Sequence, residues 1–106
     1  MKDICIVYQK DNKTLAKKLV SKLESDGISC AVAPRDFKLE EKESLTETVI
    51  NAKILLLIID NKSAKSKEQM DALEVALENE LEVIPFVVEK IESSLYSEHF
   101  FTRLAG

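Results

Sequence analysis

The sequence predicts an α/β domain: a parallel sheet of about four strands, ordered 2-1-3-4, with helices on both faces. Three observations carry that expectation. Four short runs are almost wholly apolar and rich in β-branched residues, as strands covered on both faces are. The segments between them repeat apolar residues at helical spacing. Strand and helix alternate along 106 residues, the length of one domain with one core.

Each element has its own signal. The first strand is Asp3–Tyr8, DICIVY. The helix after it sets Leu15, Ala16, Leu19, Val20 and Leu23 on one stripe. Asp11 or Asn12 can cap its start, and Gly27 suits the left-handed residue that ends it. Ile28–Ala33, ISCAVA, is the second strand. It stops at Pro34, which denies the next ladder bond, and passes through Arg35 and Asp36 into a charged loop, FKLEEKE. SLTETVINA forms the second helix. Ser44 and Glu47 have capping-box spacing there, and Leu45, Val49 and Ile50 are expected to share its buried face. Lys53–Asp60 is the most apolar strand and belongs at the centre, followed by a polar loop, NKSAK. The third helix opens on Ser66 and Gln69 as a second capping box, with Met70, Leu73, Ala76 and Leu77 as its buried stripe. Leu81–Val88 is the fourth strand, and Pro85 marks it as an edge strand or a locally irregular one. The tail reads as a loop and a short amphipathic helix carrying Leu95, Phe100, Phe101 and Leu104.

Composition narrows the function classes. Hydrophobic residues make up 45% and charged residues 32%, which suits a soluble folded domain and argues against disorder. The net charge of -4 argues against a nucleic-acid partner, which calls for a concentrated basic face. Lys13, Lys17, Lys18 and Lys22 do cluster on the first helix, where they read as a solvated face. Cys5 and Cys30 lie inside strand runs and read as buried thiols of a cytoplasmic protein. The chain goes straight into a strand, so no signal peptide is expected. Its longest apolar run, Ile54–Ile59, is too short to span a bilayer.

In a 2-1-3-4 sheet, ligands bind beyond the carboxyl ends of the strands, near the switch between strands one and three. The loops after Tyr8, Ala33, Asp60 and Val88 therefore form the functional rim. The only glycines are Gly27 and Gly106, which excludes a phosphate loop or a dinucleotide fingerprint. One histidine, His99, and two strand cysteines have no metal-ligand spacing, and His99 reads as a surface or packing residue of the tail. A phosphorylation receiver shares the topology but needs an acidic pair after strand one, where this chain reads Tyr8-Gln9-Lys10-Asp11. No cofactor and no metal are expected.

Tyr8 and Asp11, LESDGISCAVAPRD, TVINAKILLLIIDNKSAKS and DALEVALENELEVIPFVV follow one another on successive elements. In that order they resemble the TIR (Toll/interleukin receptor) domain family, bacterial type. Ala33-Pro34-Arg35-Asp36 is the most specific part, and Ile84-Pro85 the next. The resemblance runs from residue 3 to about residue 100. It implies a flavodoxin-like three-layer sandwich and a single TIR-like domain over residues 1–106. That domain either ends before the fifth strand and last helix of many members or is a piece of a longer chain.

The resemblance also implies a function. Pro34, Arg35 and Asp36 open the loop that the family uses for self-association and for closing over a nucleotide, with Tyr8 and Ser66 on the same rim. The plainer reading of Arg35 and Asp36 is local capping and pairing. The implied partners are other TIR-like domains, copies of this chain included. Family enzymes cleave the nicotinamide–ribose bond of NAD with a glutamate six residues after the serine that opens the third helix. The chemistry needs a carboxylate to stabilise oxocarbenium character or hold the ribose hydroxyls. Aligned on Leu73 and Ala76, that serine is Ser66 and the glutamate position holds Ala72. Glu68 lies one turn earlier, about 40° round the helix, and is the only stand-in; Asp71 and Glu74 are about 100° and 200° away. An acid in the first turn is also favoured by the helix dipole, the structural reading of Glu68. The chain departs from the family further in having Gln9 where a serine is usual and no glycine in the charged loop. Two functions follow: a signalling or assembly module acting by association, or a NAD glycohydrolase that takes NAD+ as substrate and uses Glu68.

Overall fold

The computed structural model describes residues 2–88. Strands β1 (Lys2–Val7), β2 (Cys30–Val32), β3 (Ala52–Ile59) and β4 (Glu82–Val87) alternate with helices α1 (Lys13–Ser25), α2 (Lys42–Ile50) and α3 (Lys67–Glu78). Neighbouring strands are parallel and lie in the order β2-β1-β3-β4. This is the flavodoxin-like arrangement that the sequence predicts.

Strand pleating sorts the core into two layers. Cys5, Val7, Leu55, Leu57 and Ile59 face one way and pack on Leu45 and Val49 of α2 and Ala72, Leu73 and Ala76 of α3. Ile4, Ile6, Leu56 and Ile58 face the other way and pack on Ala16 and Val20 of α1. β1 and β3 are therefore covered on both sides, which is why they read as continuous apolar runs. Each fully buried Leu or Ile among them contributes about 1.5–3 kcal/mol. Cys5 and Cys30 are free, buried, and on opposite faces of the sheet, so no disulfide can join them. Burial pushes the Cys5 thiol up to about 12, with the Asp36 charge adding to it, and burial also raises Cys30.

Several expectations need correction. α2 begins at Lys42 with Glu41 at its cap position, so Ser44 is inside the helix and forms no capping box with Glu47. The Ser44 hydroxyl instead accepts from the Lys38 backbone N–H at 3.1 Å and fastens the charged loop. Ile50 is 45% exposed. Five residues along a helix is about 140° round from Leu45, so periodicity itself turns Ile50 outward. At α3, Ser66 does accept from the Gln69 N–H at 3.2 Å, but the Gln69 side chain does not return the bond. The buried stripe is Gln69, Ala72, Leu73 and Ala76, with Met70 and Leu77 only partly buried against the same core. Asn12 holds the cap position of α1, but its side chain is spent elsewhere. The polar loop after β3 contains a single 3-10 turn, Ser63–Lys65. The tail helix and its residues Leu95, His99, Phe100, Phe101 and Leu104 lie outside the described residues.

α1 and α3 end alike. Gly27 N–H donates to Glu24 and Ile28 N–H to Leu23; Glu80 N–H donates to Leu77 and Leu81 N–H to Ala76. Both are Schellman closures, which need a left-handed residue after the cap. Gly27 meets the need at φ +85, but at α3 the position is filled by Glu80 at φ 59. A side chain there is strained against the backbone. Glu80→Gly should therefore raise stability by about 0.5–1 kcal/mol in urea titration, the gain reduced by glycine's greater freedom in the unfolded chain.

Candidate functional site

β2 is an outer strand, so half of its backbone groups lack a ladder partner. The Pro34–Arg35–Asp36 corner at its carboxyl end supplies them. After the cis Ala33–Pro34 peptide the chain folds back on the strand. Asp36 Oδ2 accepts from Val32 N–H at 2.9 Å, and Asp36 N–H donates to the Val32 carbonyl at 2.8 Å. Arg35 Nη2 donates to the Cys30 carbonyl at 2.9 Å. The same guanidinium grips Glu24 of α1 through both carboxylate oxygens at 2.9 Å, and its Nε donates to Asp36 Oδ2 at 2.9 Å. Glu24 first and Asp36 second push the Arg35 pKa up, and Arg35 holds the Glu24 carboxyl below the ordinary range. Arg35 and Asp36 are thus engaged first with their own chain, as local pairing predicts.

Tyr8, at the end of β1, is buried, and its hydroxyl donates to the Ala33 carbonyl at 2.8 Å. Burial raises its pKa, which keeps the hydroxyl a donor. Tyr8, Pro34 and Arg35 meet around a groove of about 320 Å³ against Ala16, Lys17 and Val20 of α1. Asp36 lies on the other side of β2, bordering a second concavity of about 460 Å³ with Glu47, Thr48 and Asn51. The predicted loop residues therefore divide between two surfaces.

A separate polar cluster sits at the mouth between β1 and β3. Asp60, Ser63, Ser66 and Gln69 are the buried polar side chains among the described residues, and all lie within one ten-residue run. Asp60 Oδ1 accepts from the N–H groups of Lys62 at 2.9 Å and Ser63 at 3.0 Å, while Oδ2 accepts from Asn12 Nδ2 at 2.9 Å. This ties the loop after β3 to the start of α1. Next to it, Lys62 pairs with Asp11, which holds that carboxyl below the ordinary range. Gln69 reaches deeper. Its Nε2 donates to the Ile58 carbonyl at 2.7 Å and to the Val7 carbonyl at 3.3 Å, bridging the ends of the two central strands. Its Oε1 is buried and without a partner among the described residues.

The sequence marked Gln69 only as the capping-box partner of Ser66, not as a buried bridge between strands. The signal was there: it lies three, four and seven residues before Ala72, Leu73 and Ala76, on their stripe. Ala72 is fully buried in the apolar layer under α3, so the position assigned to the family's acid faces the core. Glu68 is partly exposed in the first turn, and the Ser66 hydroxyl donates to it at 3.5 Å, the limit of a hydrogen bond. Ser66 and Glu68 are thus placed together, apart from the Tyr8–Pro34–Arg35 groove. Among the described residues no group of three His, Cys, Asp or Glu could hold a metal ion, and no helix is long and apolar enough to cross a membrane.

A family model described as "TIR domain" matches residues 4–105. The TIR domain of the Toll-related receptor TRR-2 from Hydra magnipapillata is similar in fold, with TM-score 0.79 and 21% identity over 96% of this chain and 79% of that one. The TIR domains of the activated Roq1 resistosome, which directly recognises the pathogen effector XopQ, give TM-score 0.67 and 19% identity over 80% of this chain. That match spans 56% of the Roq1 chain. No curated protein matches.

Proposed function

This chain belongs to the TIR domain family, and from that membership we propose that it is a signalling or assembly module working by association with TIR-like domains, its own copies included. Ala72 carries this reading: the helix position that would supply the family's acid holds a methyl group buried in the core. The Gln69 amide supports it by tying together the ends of β1 and β3, where a ligand of such a sheet would otherwise enter. The likeness in fold to TIR domains that act within a resistosome points the same way. The proposed compartment is the cytoplasm, where buried free thiols such as Cys5 and Cys30 persist. Sedimentation velocity across a concentration series is expected to show a rising sedimentation coefficient. A coefficient that stays constant at every concentration in the unmodified protein would remove the proposal's basis.

One observation favours the second reading, NAD glycohydrolysis. Glu68 is partly exposed beside Ser66 at the rim end of α3, where a carboxylate could meet a ribose. Concentrated protein incubated with NAD+ would then release nicotinamide, and Glu68→Gln would abolish the release. Under the association reading no nicotinamide appears.

A further inference from the structure

The two helical layers carry opposite charge. α1 has four lysines, Lys13, Lys17, Lys18 and Lys22, against one acid, Glu24. On the far side of the sheet, α2 and α3 carry six acids, Glu43, Glu47, Glu68, Asp71, Glu74 and Glu78, against Lys42 and Lys67. Lys13, Lys17 and Lys18 are exposed and make no ion pair among the described residues; the same holds for Glu43 and Glu47. Each face therefore holds an excess of charge of one sign, lysine on α1 and carboxylate on α2, where Lys42 beside the two glutamates offsets part of it.

α2 also has an apolar element. Glu43, Thr46, Glu47 and Ile50 follow helical spacing along its outer side and border a shallow concavity of about 630 Å³. Outside β4, Ile50 is the one exposed large apolar side chain among the described residues. A lysine stem is apolar along its length and charged at its tip. Lysines laid over Ile50 would cover it and bring their ammonium groups to the neighbouring glutamates.

We propose that copies of this chain stack front to back, the lysine face of α1 on one copy resting on the Glu43–Glu47–Ile50 face of α2 on the next. This rests on the association reading and names its surface. The contact is heterologous, since the two faces differ, and each copy keeps one free face of each kind. It therefore builds rings or open stacks rather than closed symmetric pairs. Charge supplies steering and register, so the assembly weakens as salt rises.

The test is a charge exchange read by sedimentation velocity. One variant carries Lys13→Glu with Lys17→Glu, the other Glu43→Lys with Glu47→Lys. All four sites are exposed, and circular dichroism with thermal melts checks that each variant folds. A neutral Glu43→Gln, Glu47→Gln version serves if the lysine version does not fold. The unmodified protein is expected to associate, and to lose that association between about 0.05 and 0.5 M salt. Each charge-reversed variant alone should sediment as a monomer, because the reversed pair then meets like charge on the facing helix of the next copy. Mixed in equal amounts, the two reversed variants should associate again. If the unmodified protein associates and either variant alone does too, or the mixture fails to recover, the stacking is overturned while the association module stands. If the unmodified protein never associates, both fall together.

Discussion

Ala72→Glu is expected to unfold the protein, or nearly so, rather than equip it with the family's acid. Ala72 has no exposed surface and packs among Leu55, Leu73 and Ala76. A glutamate there must either place a carboxylate in an apolar layer or stay protonated and overfill it. Overpacking alone costs about 1–3 kcal/mol, and burying an unpaired polar group adds a similar amount or more. The sum is a large part of the roughly 5–15 kcal/mol that holds a domain of this kind together. Urea titration should show a midpoint far below that of the unmodified protein, and nicotinamide release should not appear. A variant that melts where the parent does and cleaves NAD+ would show that α3 can turn this position to the crevice, and would reverse the preference for association.

The second large effect is expected at Gln69. Gln69→Leu keeps the volume but takes away the donor that, among the described residues, joins the Ile58 and Val7 carbonyls. Two buried acceptors at the ends of β1 and β3 lose a partner, a cost of about 2–4 kcal/mol that the removal of the orphan Oε1 reduces in part. The loss should appear as a lower urea midpoint with an unchanged slope. Amides near residues 7 and 58 should exchange hydrogen faster than in the parent, while the far ends of the same strands keep their protection. Equal protection throughout would mean that the amide bridges nothing of consequence.

The legible part of this fold was the part written in short-range patterns. Continuous apolar runs at residues 3–8 and 53–60 marked strands covered on both faces, and the helical stripe of Ala16 and Val20 marked the layer beneath α1. Pro34 and Pro85 showed where a ladder stops or a sheet ends. What stayed hidden depends on partners far along the chain. Ser66 and Gln69 have capping-box spacing whether or not the glutamine turns back, and only the carbonyls at 7 and 58 decide that it turns inward. Asn12 looked like a cap until Asp60, 48 residues on, claimed its side chain. Ile50 was misplaced for a simpler reason: in a short helix, one residue past the stripe already points away. At the site, the sequence marked Arg35 and Asp36 as notable but could not show that Glu24 and the β2 backbone hold them.

That last arrangement limits how copies can join. With the Cys30 carbonyl and the Val32 amide already served by the Arg35–Asp36 clasp, a foreign segment laid alongside β2 finds few main-chain groups to bind. Growth by continuing the hydrogen-bonded lattice from one molecule to the next, the route to amyloid-like fibres, is blocked on this flank. Contacts that copies make on this flank would then rest on side chains, which are reversible and set by salt and concentration.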